Sequence, residues 1–197
     1  MLITTKIKKY DCLKKGIYKS GKYTVISVRN QDIILIKQWR NDQIDILRQN
    51  KKLSDKDQYN YYNNIIFPSF KDEQPKQILF SFLYNDECIG YGGIVHINWE
   101  HKRGELSFIT NTERTINNDT CEQDFLEYLG LIKKIAFKDL YLNKIYMETY
   151  EIESKYRHIH TIDNDKDFLY DGNLRQHNFI NGKYVNSLIH SCLKENI

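Results

Sequence analysis

This chain has little of what marks most binding and redox motifs. It holds two prolines, nine glycines, two tryptophans and four cysteines in 197 residues. Cys12, Cys88, Cys121 and Cys192 lie far apart and form no Cys-x-x-Cys pair, so they read as reduced, partly buried thiols and not as a metal site or disulfide framework. No stretch approaches the roughly 18 apolar residues a membrane helix needs. Met1 to Tyr10 has no apolar signal-peptide core, so a cytoplasmic location is expected. Twenty-nine basic against 26 acidic residues leave a net charge of +3, too small to point to nucleic acid. There is no Gly-x-Ser-x-Gly, no Walker loop and no dinucleotide-type glycine fingerprint. His158-x-His160 sits in a helical pattern where i and i+2 diverge, and His96 and His101 lack an evident third ligand, so no metal site is expected.

What is present is a folding sequence. Hydrophobic residues make up 41%, fifteen residues are tyrosine, and the 23.7 kDa mass suits one domain. Residues 1–21 have little periodicity and are expected as an N-terminal extension to a single domain over 22–197. Residues 23–28 alternate as a strand, and Asn30-Gln31-Asp32 offers a helix start ahead of Ile33, Ile36 and Trp39. Ser54 and Asp57 form a capping box for a second helix that Pro68 ends. Residues 77–84 and 88–97 read as strands joined by a turn at 85–87. Gly90, Gly92 and Gly93 mark a bulge or a close backbone approach in the second of them. Residues 104–110 form a strand with Glu105, Ser107 and Ile109 on one face. Thr120 and Gln123 suit a capping box for a helix over about 121–140, with Phe125, Leu129, Ile132, Ala136 and Leu140 as its buried stripe. A strand over 144–150, a short helix over about 152–163 and a closing hairpin follow. Asn181-Gly182 tolerates the two positive φ angles of a type I′ turn. Helices before and after a run of strands imply a mixed α/β (α+β) sheet of about seven strands.

The C-terminal run Asp171-Gly172, Arg175 and Asn181-Gly182-Lys183-Tyr184, with this element order, resembles the GNAT superfamily of N-acetyltransferases over roughly residues 22–193. The resemblance implies a mostly antiparallel sheet flanked by helices, acetyl-CoA as co-substrate, and transfer to a primary amine by direct attack in a ternary complex. It implies that Phe108, Ile109 and Thr110 hold the pantetheine arm. It also implies that Asn118, Asp119, Thr120 and Cys121, with Arg114 nearby, meet the diphosphate, although the family's glycines are absent there. A capped helix without a ligand explains the same residues, because Glu122 and Asp124 suit any helix N-terminus.

Amide formation needs a deprotonated amine. Glu105 occupies a position resembling the family base, and His96 titrates in the right range. Each is also compatible with an ordinary place at a strand surface. Tyr156 is the candidate acid for the departing thiolate. Trp39-Arg40-Asn41, with Tyr91, His96 and Trp99, resembles members acting on nucleotide-linked amino sugars of surface-glycan biosynthesis; a core anchor at Trp39 and a surface charge at Arg40 explain the same residues. The expected partner is a small-molecule amine, with no nucleic acid or membrane, and the chain acts as a monomer or homodimer. Two alternatives stay open: a protein N-terminal acetyltransferase, and a non-catalytic CoA-binding module.

Overall fold

The computed structural model describes residues 8–153 and 156–197, with the backbone alone at 118, 156 and 157. Eight strands form one sheet in the order β1-β2-β3-β4-β5-β6-β8-β7. They are β1 (Ile17–Ser20), β2 (Tyr23–Ser27), β3 (Ile78–Tyr84), β4 (Glu87–Asn98), β5 (Arg103–Thr110), β6 (Lys144–Tyr150), β7 (Leu169–Ile180) and β8 (Lys183–Leu193). All neighbours run antiparallel except β5 and β6. The helices are α1 (Ile33–Asp42), α2 (Asp55–Tyr61), α3 (Asn118–Lys134) and α4 (Tyr156–Asp163). This is the mixed, mostly antiparallel sheet with flanking helices that the element order implied.

The eighth strand comes from the segment read as an extension. Ile17–Ser20 pairs with β2, and Tyr10 and Leu13 are buried in the core. Tyr10 packs against Phe70 at 4.1 Å, and its hydroxyl accepts from the Leu79 amide at 3.0 Å. These apolar residues sit between Lys8-Lys9 and Lys14-Lys15, a run too short for periodicity to register.

The α2 capping box forms as expected: the Asp57 amide donates to Ser54 Oγ at 3.2 Å and the Ser54 amide to Asp57 Oδ2 at 3.0 Å. The start of α3 differs. Its N-cap is Asn117, whose Oδ1 accepts from the Thr120 amide at 3.0 Å, so the helix begins three residues before the Thr120 box. Asn competes well with Thr as a cap, and Asn117 lies one turn nearer the loop. Gln123, released from capping, reaches Glu127. The helix continues as a π turn over Ile135–Asp139, so its end matches the expected length. The closing hairpin turns at Asn181 (φ 49°) and Gly182 (φ 78°), the conformation a type I′ turn demands.

Two neighbours on β4 show why the glycines are there. Tyr91 meets α1 through Arg40, whereas a Cβ on Gly92 would collide with the Ser107 carbonyl and the Tyr128 hydroxyl on α3. Adjacent strand residues point to opposite faces, so α1 and α3 cover opposite sides of the sheet. On the α3 side Phe82, Phe108, Phe125 and Tyr128 stack with centroids 4.4–6.0 Å apart. This aromatic block fixes β5 against α3.

Candidate active site

The parallel pairing of β5 and β6 covers Arg103–Glu105 against Lys144–Tyr146 and then stops. Beyond Glu105 and Tyr146 the strands diverge, while each keeps its antiparallel partner on the other side. Main-chain groups along the two facing edges therefore lack a strand partner, and a cavity of about 750 Å³ opens between them. Its wall includes Glu105 to Ile109 of β5, Tyr146 to Tyr150 of β6, Phe125 of α3 and His158 of α4.

Charge is concentrated at one mouth of this cavity. Arg48, on the turn after α1, places its guanidinium between the two strands. Nη2 lies 3.1 Å from Glu105 Oε1, Nη1 lies 3.3 Å from Glu105 Oε2, and the same group pairs with Glu148 Oε2. Arg48 is 46% exposed and each carboxylate only 12%. Ser187 Oγ donates to Glu148 Oε1 at 2.7 Å. Burial pushes the Glu148 carboxyl up, but the Ser187 bond, Arg48 and Asn178 outweigh it and hold the group below its ordinary value.

The Trp39-Arg40-Asn41 motif positions that arginine. Trp39 is buried in the core. Arg40 donates from Nε to Gln49 at 3.0 Å and from Nη1 to the Tyr91 hydroxyl at 2.5 Å. Asn41 bonds the Leu53 carbonyl at 2.9 Å and the Leu53 amide at 2.8 Å, and accepts from Gln49 at 3.1 Å. The polar stretch 42–53, ambiguous in sequence, is thus pinned to α1 and delivers Arg48 across the sheet. Gln43 adds a tie to the Thr110 carbonyl at 2.9 Å. A second cavity of about 340 Å³, walled by Tyr61, Tyr62 and Tyr91, meets the first at Arg40, Gln77, Val95 and Ser107. Among the described residues Arg40 has no carboxylate within ion-pair distance.

Of the other expected residues, Glu105, Phe108 and Ile109 line the main cavity, as does His96, exposed at its rim in the β4 bulge with φ 49°. Thr110 is buried and already bonded, its hydroxyl to the Ile89 carbonyl at 3.0 Å and its carbonyl to Gln43. Trp99 is outside the cavity wall, with Nε1 donating to the Pro75 carbonyl at 2.9 Å. Arg114 is not a free loop cation: Nε and Nη2 grip Asp124 at 2.6 and 2.8 Å. The first turn of α3 carries Asn118, Asp119, Thr120 and Cys121, with Cys121 buried. Tyr156 opens α4, and its side chain lies outside the described residues.

Sequence reasoning passed over Arg48, Glu148, Tyr146 and Tyr150. The last three share one face of β6 at period two, a signal available in Lys144–Tyr150. Burial raises both tyrosine hydroxyls above their ordinary value. Among the described residues, no group of His, Cys, Asp and Glu suits a metal ion, and no helix is long and apolar enough to cross a membrane.

The profile of the acetyltransferase (GNAT) domain matches residues 25–189. The fold is similar to a spermidine N-acetyltransferase from Vibrio cholerae solved with CoA and spermine, at TM-score 0.70 and 18% identity over 90% of this chain and 98% of that one. It is also similar to mutant forms of the Vibrio cholerae spermidine/spermine N-acetyltransferase, at TM-score 0.72 and 19% identity over 89% of this chain and 96% of that one. No curated protein matches the chain.

Proposed function

Because the chain belongs to the GNAT acetyltransferase family, with acetyl-CoA as donor, we propose that its β5–β6 cavity carries acetyl transfer to the primary amine of a small acceptor bearing negative charge, a nucleotide-linked amino sugar being the best fit. The observation that carries this reading is the divergence of β5 from β6 inside a walled cavity. Open main-chain edges suit the amide-rich pantetheine arm. Thr110 is already bonded. Asn111 donates its amide to the Ile89 carbonyl of β4, so Ile109, two residues back, also turns its main chain to β4, and the main chain of Phe108 is the one turned to the open edge and left to hold the thioester. The amides of the first turn of α3 are the natural seat for the diphosphate, since Arg114 is committed to Asp124.

In the ternary complex the amine lone pair attacks the thioester carbonyl. The C–N bond forms, the C–S bond breaks, and CoA departs as a thiolate. Glu105 takes the amine's proton, through a water where the distance requires one; both carboxylates share Arg48, and Glu148 is the poorer base because Ser187 and Asn178 bind it as well. Tyr150 lines the same cavity, and burial keeps its hydroxyl protonated at neutral pH, ready for the thiolate.

The wall supports an acceptor that bears negative charge. Arg40, Arg48, Lys76 and Arg103 line the main cavity with Glu105 and Glu148, four cations to two carboxylates, and Asp57 lines the adjoining one. Aromatic rings and arginines suit a sugar ring and diphosphate. A protein N-terminus would favour a groove lined by carboxylates. The neighbours named for spermidine and spermine support a polyamine as the second reading.

The test is CoA-thiol release from acetyl-CoA with a panel of amino sugars, nucleotide-linked amino sugars, polyamines and peptides. Turnover confined to the anionic amines is the expected result. No turnover with any amine and no thermal shift with acetyl-CoA would remove the enzyme reading. Glu105→Gln is expected to slow the reaction at neutral pH and less so at alkaline pH.

A further inference from the structure

The β5–β6 cavity already holds a cation of the protein's own. Glu105 and Glu148 sit on the two diverging strands, nearly enclosed, and aim their carboxylates at one point. Two such carboxylates facing one cavity would ordinarily recruit an ammonium group. Arg48 fills that point instead, and its placement is built. Four hydrogen bonds among Arg40, Asn41, Gln49 and Leu53 brace the turn that carries it. Leu47 beside it packs against the core, which anchors the turn and with it the position of the guanidinium.

We infer that Arg48 is a specificity-determining residue: it occupies the cation subsite formed by Glu105 and Glu148 and so excludes acceptors that carry several ammonium groups. This deepens the acetyl-transfer reading of the same cavity and rests on it. A polyamine chain would have to evict a guanidinium held by charge-assisted hydrogen bonds and then lie beside Arg40, which has no carboxylate of its own among the described residues. An amine attached to a neutral or anionic body meets no such obstacle. Removing the arginine leaves two carboxylates able to hold an ammonium.

The experiment is calorimetric titration of spermidine into the full chain and into Arg48→Ala and Arg48→Gln, with acetyl-CoA titrated into each separately. Both substitutions are expected to tighten spermidine at least tenfold, with a gain that shrinks as salt rises. Adding Glu148→Gln to Arg48→Ala is expected to cancel most of the gain. Acetyl-CoA affinity is expected to stay within twofold throughout. Spermidine binding that is equally tight with and without Arg48, or a gain that survives Glu148→Gln, overturns the inference and leaves acetyl transfer standing. Failure of the unsubstituted chain to bind acetyl-CoA overturns the enzyme reading instead, and the spermidine titrations still judge Arg48. If Arg48→Ala fails to fold, Arg48→Gln keeps the shape of the turn and gives the same reading.

Discussion

Replacing Arg114 with Met asks whether this arginine serves the cofactor or the fold. Asp124, at 0% exposure, accepts two charge-assisted bonds from Arg114 at 2.6 and 2.8 Å and one from the Tyr23 hydroxyl at 3.0 Å. Met keeps most of the side-chain volume and removes the charge. The carboxylate then keeps Tyr23 alone. Stranding a buried charge costs about 3–5 kcal/mol. Arg114 is itself 24% exposed, which lets water replace part of the lost interaction, so about 2–3 kcal/mol is expected. For a chain of this size each kcal/mol shifts Tm by roughly 2–4 °C, which puts the loss at roughly 4–12 °C. The assay is thermal and urea unfolding of the wild type, Arg114→Met, Asp124→Asn and the double variant. The double variant is expected to be less destabilised than the two single losses summed, because the partners act as a pair. Acetyl-CoA affinity is expected to change less than threefold. A Tm within 1 °C of wild type together with a tenfold loss of acetyl-CoA affinity would refute the reasoning and return Arg114 to the diphosphate.

Three further outcomes are expected. Glu148 has its carboxyl held below the ordinary value in the fold, so its contribution is present above the unfolded value near 4.5 and is lost as pH falls through the folded one. The stability gap between wild type and Glu148→Gln should therefore be widest near neutral pH and close in acid; urea midpoints that show a constant gap from pH 7 to 3 contradict this. Gly182→Ala places a Cβ at φ 78° in open space, so only backbone strain is added, about 1 kcal/mol, and a hairpin unchanged in urea midpoint would argue against the turn type. Burial pushes the Cys88 thiol up to about 12 and the Cys12 thiol up to about 11, so both are expected to react with a thiol reagent at pH 7.5 far more slowly than after unfolding. Labelling at the free-cysteine rate would count against that burial.

The fold was largely legible because its signals are local. Alternation marked β2, a capping box marked α2, and Asn181-Gly182 marked the hairpin. The β1 strand escaped because its partner, not its own pattern, makes it a strand. The site was legible only in part. Glu105 and Phe108 were found on their strand, yet the sequence does not say which edge of that strand stays open. Arg40 and Asn41 were chosen as substrate contacts from their residue types; their partners, Gln49 and Leu53, lie eight to twelve residues on in a stretch with no periodicity. Arg114 shows the same limit, because its acceptor lies across a loop. Polar pairing across a non-periodic stretch decides such roles, and a window that contains both partners carries no signal that pairs them.

One feature of the sheet reaches beyond the chemistry. Strands β1 to β5 and strands β6 to β8 share a ladder of three residue pairs, Arg103 to Glu105 with Lys144 to Tyr146. That is a seam with most of its rungs missing. A molecule that fills the gap with amides of its own adds rungs between the two halves, so on the proposed reading cofactor binding is expected to slow amide exchange along β5 and β6.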